Sequence, residues 1–230
     1  MENVGSYREY VRLAIENFAR KDAERRYLLV NAVKDKKVER VLDIGCGAGQ
    51  ELLPFLEKTE AFCVGLDAAE EFGEVGTEFF AAKGFTENFA LIRSQGEKLP
   101  FEEESFDVVL CRVALPYMNN RRTIAEIARI MRSGGVFLLK THAPAFYFVM
   151  LWQRLKTFNP KQIAYPLICL TGSVWHQFTG RQLQKGFWKG KEVFQTERFL
   201  EKEFEKHGLR IEGFLSDTNP QTPSFVVVKI

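Results

Sequence analysis

Between Ile127 and Lys191 the sequence contains no aspartate and no glutamate. The same window holds ten bases, at 129, 132, 140, 154, 156, 161, 181, 185, 189 and 191. That leaves 22 bases against 30 acids in the rest of the chain, so a net charge of +2 conceals two regions of opposite sign. Cysteine is scarce as well. The four, at 46, 63, 111 and 169, form no Cys-x-x-Cys pair, which excludes a disulfide scaffold or a zinc framework and fits reduced residues of a cytoplasmic protein. Three histidines, none clustered with other ligand types at metal spacing, give no expectation of a metal. No apolar run nears the roughly 20 residues of a spanning helix. Met1-Glu2-Asn3 lacks the basic and apolar regions of a signal peptide. Repeats and low-complexity tracts are absent too.

What is present is a chain of 230 residues, 46% hydrophobic and 27% charged, enough to bury one large core. Short apolar runs alternate with helical periodicity. Strands are expected at 38–44, 61–66, 88–93, 106–111 and 136–141, with two more from Leu209 to Phe214 and from Phe225 to Lys229. Helices are expected near 7–33, 50–57, 69–83, 120–132 and 196–207. Asp22 is placed to cap a second segment of the first, and Thr196 to cap the last. Gly73 and Gly76 should leave the 69–83 helix weak or broken. Arg132-Ser133-Gly134-Gly135 should end the 120–132 helix. Seven strands with interleaved helices and an adjacent terminal pair predict an α/β fold: a Rossmann-like, doubly wound seven-stranded sheet with one antiparallel strand.

The chain is organised around Val41-Leu42-Asp43-Ile44-Gly45-Cys46-Gly47-Ala48-Gly49-Gln50. A buried strand breaks into glycines at every second position and then enters a helix. Glycine serves where φ is positive or where a ligand must approach the main chain closely. About 20 residues on, Phe62-Cys63-Val64-Gly65-Leu66-Asp67 ends in an acid, where folds of this kind hold a ribose diol. The spacing departs from the G-x-G-x-x-G of dinucleotide sites. The leading Asp43 would repel a pyrophosphate and suits a ligand carrying an ammonium group.

This run closely resembles the first motif of class I S-adenosylmethionine-dependent methyltransferases. Ser94-Gln95-Gly96-Glu97-Lys98-Leu99-Pro100-Phe101 resembles the segment that follows strand 3 in the small-molecule branch of that family. It departs at Gln95, where many relatives carry aspartate for the adenine amine. The resemblance covers about 38–143 by motif and 196–230 by pattern. It implies S-adenosylmethionine as cofactor, held by Asp43, Gly45, Gly47, Gly49, Gln50, Asp67, Ala68, Gln95, Gly96, Glu97 and Arg112. Arg112 either reaches the cofactor carboxylate or braces its loop. Tyr7 or Tyr10, in a helical lid over 1–35, either closes over the cofactor or only packs on the sheet edge. Methyl transfer needs a base only for a hydroxyl or phenol acceptor. His142, just past strand 5, is the candidate. Tyr117 and His176 are acceptor-binding candidates, and His207 reads as a helix C-terminal cap. The rivals are a nicotinamide oxidoreductase, which the glycine spacing disfavours, and a non-catalytic binding module.

The cofactor-binding core is expected over 36–143, a helical insertion over 144–195, and a C-terminal helix and hairpin over 196–230. The insertion exceeds what a minimal fold needs. It carries all three tryptophans, Trp152, Trp175 and Trp188, among its bases. It reads either as a helical pair that buries its aromatics, or as an acceptor lid for a small or lipid-like molecule bearing phosphate or carboxylate. Such a lid could touch a membrane surface. Its apolar runs are too greasy for a groove reader, and no nucleic acid is expected.

Overall fold

The computed structural model describes residues 7–183 and 185–230. Met1-Glu2-Asn3, on which the signal-peptide reading rests, lies outside them, as do the first six residues of the 1–35 segment. The chain runs α1 (Tyr7–Ala19), α2 (Ala23–Arg26), α3 (Leu28–Asn31), β1 (Arg40–Ile44), α4 (Leu53–Lys58), β2 (Phe62–Asp67) and α5 (Phe72–Ala82). It continues through β3 (Phe89–Arg93), β4 (Phe106–Arg112), α6 (Asn120–Ile130), β5 (Met131–Lys140), α7 (Pro144–Leu155) and α8 (Pro160–Thr179). It closes with α9 (Glu197–Glu205), β6 (Leu209–Phe214) and β7 (Ser224–Lys229). Asp22 caps α2 by accepting from the Arg25 N–H at 2.9 Å, and Thr196 caps α9 by accepting from the Phe199 N–H.

The strands form one sheet in the order β3-β2-β1-β4-β5-β7-β6. Neighbours pair in parallel from β3 to β5, and β7 runs antiparallel to both β5 and β6. Alternate strand residues face opposite layers. Val41, Cys63, Val108, Leu110 and Val136 meet α1, α3, α4 and α5 on one side. Leu42, Val64, Val109, Cys111 and Phe137 meet α6 and α9 on the other. Both faces are covered, which is why the parallel strands read as continuous apolar runs. The order reverses between β2-β1 and β4, so a crevice opens beyond the C-terminal ends of β1 and β4, where such sheets bind ligands.

Two local expectations are corrected. α5 is one unbroken helix despite Gly73 and Gly76. A Cβ at Gly76 would stand 2.7 Å from Leu91 Cδ1 and 3.3 Å from the Ala48 carbonyl, so this glycine lets the helix lie close against β3 and the glycine loop. Packing outweighs a propensity cost of about 1 kcal/mol. Arg132-Ser133-Gly134-Gly135 does not end α6, which stops at Ile130. These residues begin β5, whose pairing with β4 shifts register between Phe106 and Val108. Two smaller offsets are that α4 begins at Leu53, after a turn from the glycine loop, and that the N-terminal helical stretch is three pieces.

The insertion forms a helical hairpin, α7 against α8. Its inner seam holds Tyr147, Cys169 and Phe194, while many of its other aromatics face outward. The four cysteines are free and buried.

Candidate active site

A cavity of about 770 Å³ lies in the crevice. The ends of β1 and β2 supply Asp43, Gly45, Gly47, Gln50, Asp67 and Ala68 to its wall. Gln95, Gly96 and Glu97 come from the loop after β3, and Arg112 and Tyr117 from the end of β4 and the turn beyond it. Tyr7 and Tyr10 of α1 cover it. Burial and then the charge of Asp67, which lines the same cavity, push both tyrosine hydroxyls up.

Three predicted residues are not on this wall. A Cβ at Gly49 would fall 2.8 Å from the Phe80 ring, so Gly49 serves the packing of the loop on α5. His142 and His176 lie elsewhere, as described below.

The glycine loop is shaped by close packing and by its own hydrogen bonds. Gly45 has φ +73°, and a Cβ there would lie 2.3 Å from Ala114 Cβ, so the turn after β4 presses directly on it. Gly47 has φ +59°, with only the Gln50 side chain within 4 Å of a built Cβ, which leaves its ledge open to the cavity. Four of the loop's N–H groups, including those of all three glycines, are bonded internally. Gly45 and Cys46 donate to the Leu66 carbonyl at 2.7 and 3.1 Å, Gly47 to Asp67 Oδ2 at 3.0 Å, and Gly49 to the Cys46 carbonyl at 2.9 Å. A pyrophosphate needs such donors free. The three glycines of this loop have theirs already taken, which disfavours a pyrophosphate against them.

Charge points the same way. Asp43, Glu51, Asp67 and Glu97 all line the cavity. Its two long cations are committed: Lys21 to Glu51 at 2.7 Å, and Arg112 to Asp217 and, at 2.6 Å, to Ser224. Lys140 joins Asp217 at 2.7 Å. Burial would raise the Asp217 carboxyl, but Arg112 and Lys140 outweigh it and hold it low. Arg112 thus braces the β4 end against the 215–224 loop while keeping one flank on the cavity. Asp43 is pushed well up, first by burial and then by Glu51. A crevice lined by four carboxyl groups favours a cationic ligand.

Asp67 has lone pairs to spare. Oδ2 takes the Gly47 N–H and Oδ1 the Ala69 N–H at 2.9 Å, while the half-buried carboxylate still faces the cavity. The loop after β3 is held by α6: Glu97 accepts from the Asn119 N–H at 2.7 Å, and Glu126 from the Leu99 N–H at 2.8 Å. A Cβ on Gly96 would sit 2.7 Å from Met118 Sδ. The Tyr7 hydroxyl and Gln50 Oε1 are buried with no partner. Both are on the cavity wall, as expected where a polar nucleoside completes the hydrogen bonding.

Compared with known proteins, residues 42–139 match the family model described as a methyltransferase domain. The matched segment is a class I S-adenosylmethionine-dependent methyltransferase domain. Among curated relatives, YcgJ of Bacillus subtilis, described as a methyltransferase, is 37% identical over 116 residues, 50% of this chain and 45% of that protein. Sterol 24-C-methyltransferase ERG6B of Gibberella zeae is 28% identical over 124 residues, 53% of this chain and 32% of the relative. A phthiotriol/phenolphthiotriol dimycocerosates methyltransferase of Mycobacterium tuberculosis is 33% identical over 102 residues, 43% and 36%. The chain therefore spans less than half the length of these relatives. The crystal structure of YcgJ superposes with a TM-score of 0.57 at 22% identity, over 88% of this chain and 95% of that one, a likeness of fold. S-adenosylmethionine is the cofactor of this methyltransferase domain family, and the acid-lined cavity suits a sulfonium better than a diphosphate.

Beside the domain's cavity lies a second polar cluster. His142, just past β5, is buried, stacks on Phe146 at 3.9 Å, and places Nδ1 3.0 Å from Glu192 Oε2. Tyr165 donates to Glu192 Oε1 at 2.7 Å. Burial pushes the Glu192 carboxyl up, but His142 and Tyr165 outweigh it and leave it below its usual value. Tyr117 lies between this cluster and the cavity: it is on the cavity wall, and burial and Glu192 push its hydroxyl up. His176 is buried behind Phe199 at a ring separation of 4.7 Å. Burial and then Arg121 lower it to about 4, so it stays neutral.

Two features were not read from the sequence. Glu192 is the acid that ends the acid-free window, a signal that was present. Val113, on the cavity wall, has φ +57°, a strained conformation for a β-branched residue that no sequence pattern announces.

Proposed function

We propose that this protein is a cytoplasmic S-adenosylmethionine-dependent methyltransferase acting on a small or lipid-like acceptor, with 144–195 as the acceptor lid and a point of peripheral membrane contact. What carries the reading is one juxtaposition: an acid-lined cavity against a loop whose three glycine N–H groups are internally bonded, inside a methyltransferase domain. Asp67 accepts from the ribose hydroxyls, Asp43 faces the ammonium group, and Gly45, Gly47 and Ala68 offer main-chain surface. Gln50, Gln95, Gly96 and Glu97 border the nucleoside, and Tyr7 and Tyr10 exclude water from above. Arg112 holds the floor in place through Asp217. When bound, S-adenosylmethionine supplies an electrophilic methyl group on a sulfonium. The protein contributes orientation and a dry pocket, which suffice for much of the acceleration of such a displacement.

Tyr117 and the His142–Glu192 pair sit on the acceptor side in this reading. For a hydroxyl or phenol acceptor, Tyr117 on the cavity wall meets the acceptor and His142 behind it is the candidate base, its tautomer fixed by Glu192 through Nδ1. Relatives named for sterol and phthiotriol substrates support a lipid-like acceptor, and the bases of the acid-free insertion support one with an anionic group. The test is incubation with tritium-methyl-labelled S-adenosylmethionine and separate organic and aqueous cell extracts. Label entering the organic phase with wild type, and not with Asp67→Ala, is expected. Label confined to water-soluble products refutes the lipid-like acceptor, and no incorporation from either extract refutes the enzyme reading.

A further inference from the structure

The α7–α8 hairpin shows its apolar residues to solvent in an ordered way. On α7, Phe148 (59% exposed), Trp152 (65%) and Leu155 (43%) fall at i, i+4 and i+7, one face of a helix. On α8, Leu167, Val174, Trp175 and Phe178 make a second outward stripe. Meanwhile Cys169, Gly172, Ser173 and His176 of α8 face inward. The turn between the helices carries Phe158, 89% exposed and held at φ +52°. A bulky side chain in the left-handed region is uncommon, and this one projects from the hairpin tip.

Among the described residues, ten of the sixteen exposed large hydrophobic residues lie in 144–195, a concentration and not the usual scatter. Around it stand the exposed bases Lys156 and Lys161 at the tip, and Lys185 and Lys189 beside the exposed Phe187, with no acid from 127 to 191. Lys156 Nζ lies 5.6 Å over the Trp152 ring, so stem and ring share one surface.

We propose that the outer face of this hairpin docks on an anionic lipid bilayer, with Trp152, Leu155 and Phe158 entering the headgroup boundary and Lys156 and Lys161 meeting the lipid charge. Apolar area and basic charge act together at such a boundary. A second copy is a poor occupant, because a two-fold contact would set one basic rim against the other. No helix among the described residues is long and apolar enough to cross a membrane, which fits lying on the surface. The proposal deepens the lipid-like acceptor reading, resting on it only for the idea that acceptor is collected at this face.

The test is flotation of the full chain with phosphatidylcholine vesicles, with and without 30% phosphatidylglycerol, comparing wild type, Trp152→Ser/Phe158→Ser and Lys156→Gln/Lys161→Gln. Wild type should float with the anionic vesicles and stay below the neutral ones. One basic residue near the surface is worth about fivefold in partitioning, so the lysine pair should cost roughly 25-fold. The aromatic pair should abolish flotation. S-adenosylhomocysteine binding by each variant serves as the check of fold. Equal recovery of wild type in the soluble fraction with both vesicle types overturns the proposal, as does a wild-type dimer that the aromatic pair converts to a monomer. Flotation without any S-adenosylhomocysteine binding would overturn the methyltransferase reading and leave the docking face standing.

Discussion

Asp67→Ala separates ligand recognition from folding. The carboxylate has two tasks: it ties the glycine loop to the tip of β2 through the Gly47 and Ala69 N–H groups, and it faces the cavity with its remaining lone pairs. The first task is modest. Both N–H groups are part-buried, water can replace the oxygen, and a loss of about 1 kcal/mol each is expected. For a chain of this size that is a fall of roughly 4–8 °C in melting temperature. The second task is larger. Two charge-assisted hydrogen bonds to a diol, at about 1.5–3 kcal/mol each, correspond to roughly 10²- to 10⁴-fold in affinity. Asp67→Asn keeps one acceptor and should fall between. Equilibrium dialysis with labelled S-adenosylmethionine, read beside thermal melts, measures both. Unaltered affinity in a folded Asp67→Ala protein refutes the assignment, and a melting loss beyond about 15 °C would mean that the loop anchor, not the ligand contact, dominates.

Three further outcomes follow from the same geometry. Gly45→Ala should destabilise by more than Gly47→Ala in chemical denaturation, because both pay about 1–2 kcal/mol for a left-handed alanine but only Gly45 drives a Cβ into Ala114. His176 is held at about 4 against an ordinary 6.5, so the unfolded chain binds its proton first. Stability is then complete above about pH 6.5 and falls toward pH 4 by on the order of 2–4 kcal/mol. His176→Leu should flatten that slope in urea titrations across the range. Glu192 is held below its ordinary carboxylate value, so its contribution is complete above the unfolded pKa, roughly 4.3, and is lost as pH falls through the folded one. Glu192→Gln should remove that acid-side loss and, for a hydroxyl acceptor, lower turnover about 10²-fold while leaving S-adenosylhomocysteine affinity unchanged.

The core of the site was legible because it is local. Asp43, the glycines and Asp67 occupy two successive strand ends, so sequence spacing alone sets their neighbourhood in a parallel sheet. The central strands were legible for a related reason, since strands covered on both faces carry apolar runs, while β6 at the edge reads by alternation. What escaped depends on contacts between distant segments. The pairing of His142 with Glu192 exists only once a two-helix hairpin brings residues fifty apart together. Gly76 reads as a helix breaker until β3 is placed against it. The direction of the insertion's aromatics was open, because helical spacing says that they share a face and not which side that face is on. Asp217, which holds Arg112, lies in a loop without periodicity.

The central claim is that the cavity at the β1–β4 crevice is built for an adenosyl ligand without phosphates. Parallel calorimetric titrations of the wild-type protein with S-adenosylhomocysteine and with NADH test it most directly. Saturable one-to-one binding of S-adenosylhomocysteine, and no heat from NADH, is the predicted result. Binding of NADH, or of neither ligand by a folded protein, would contradict it.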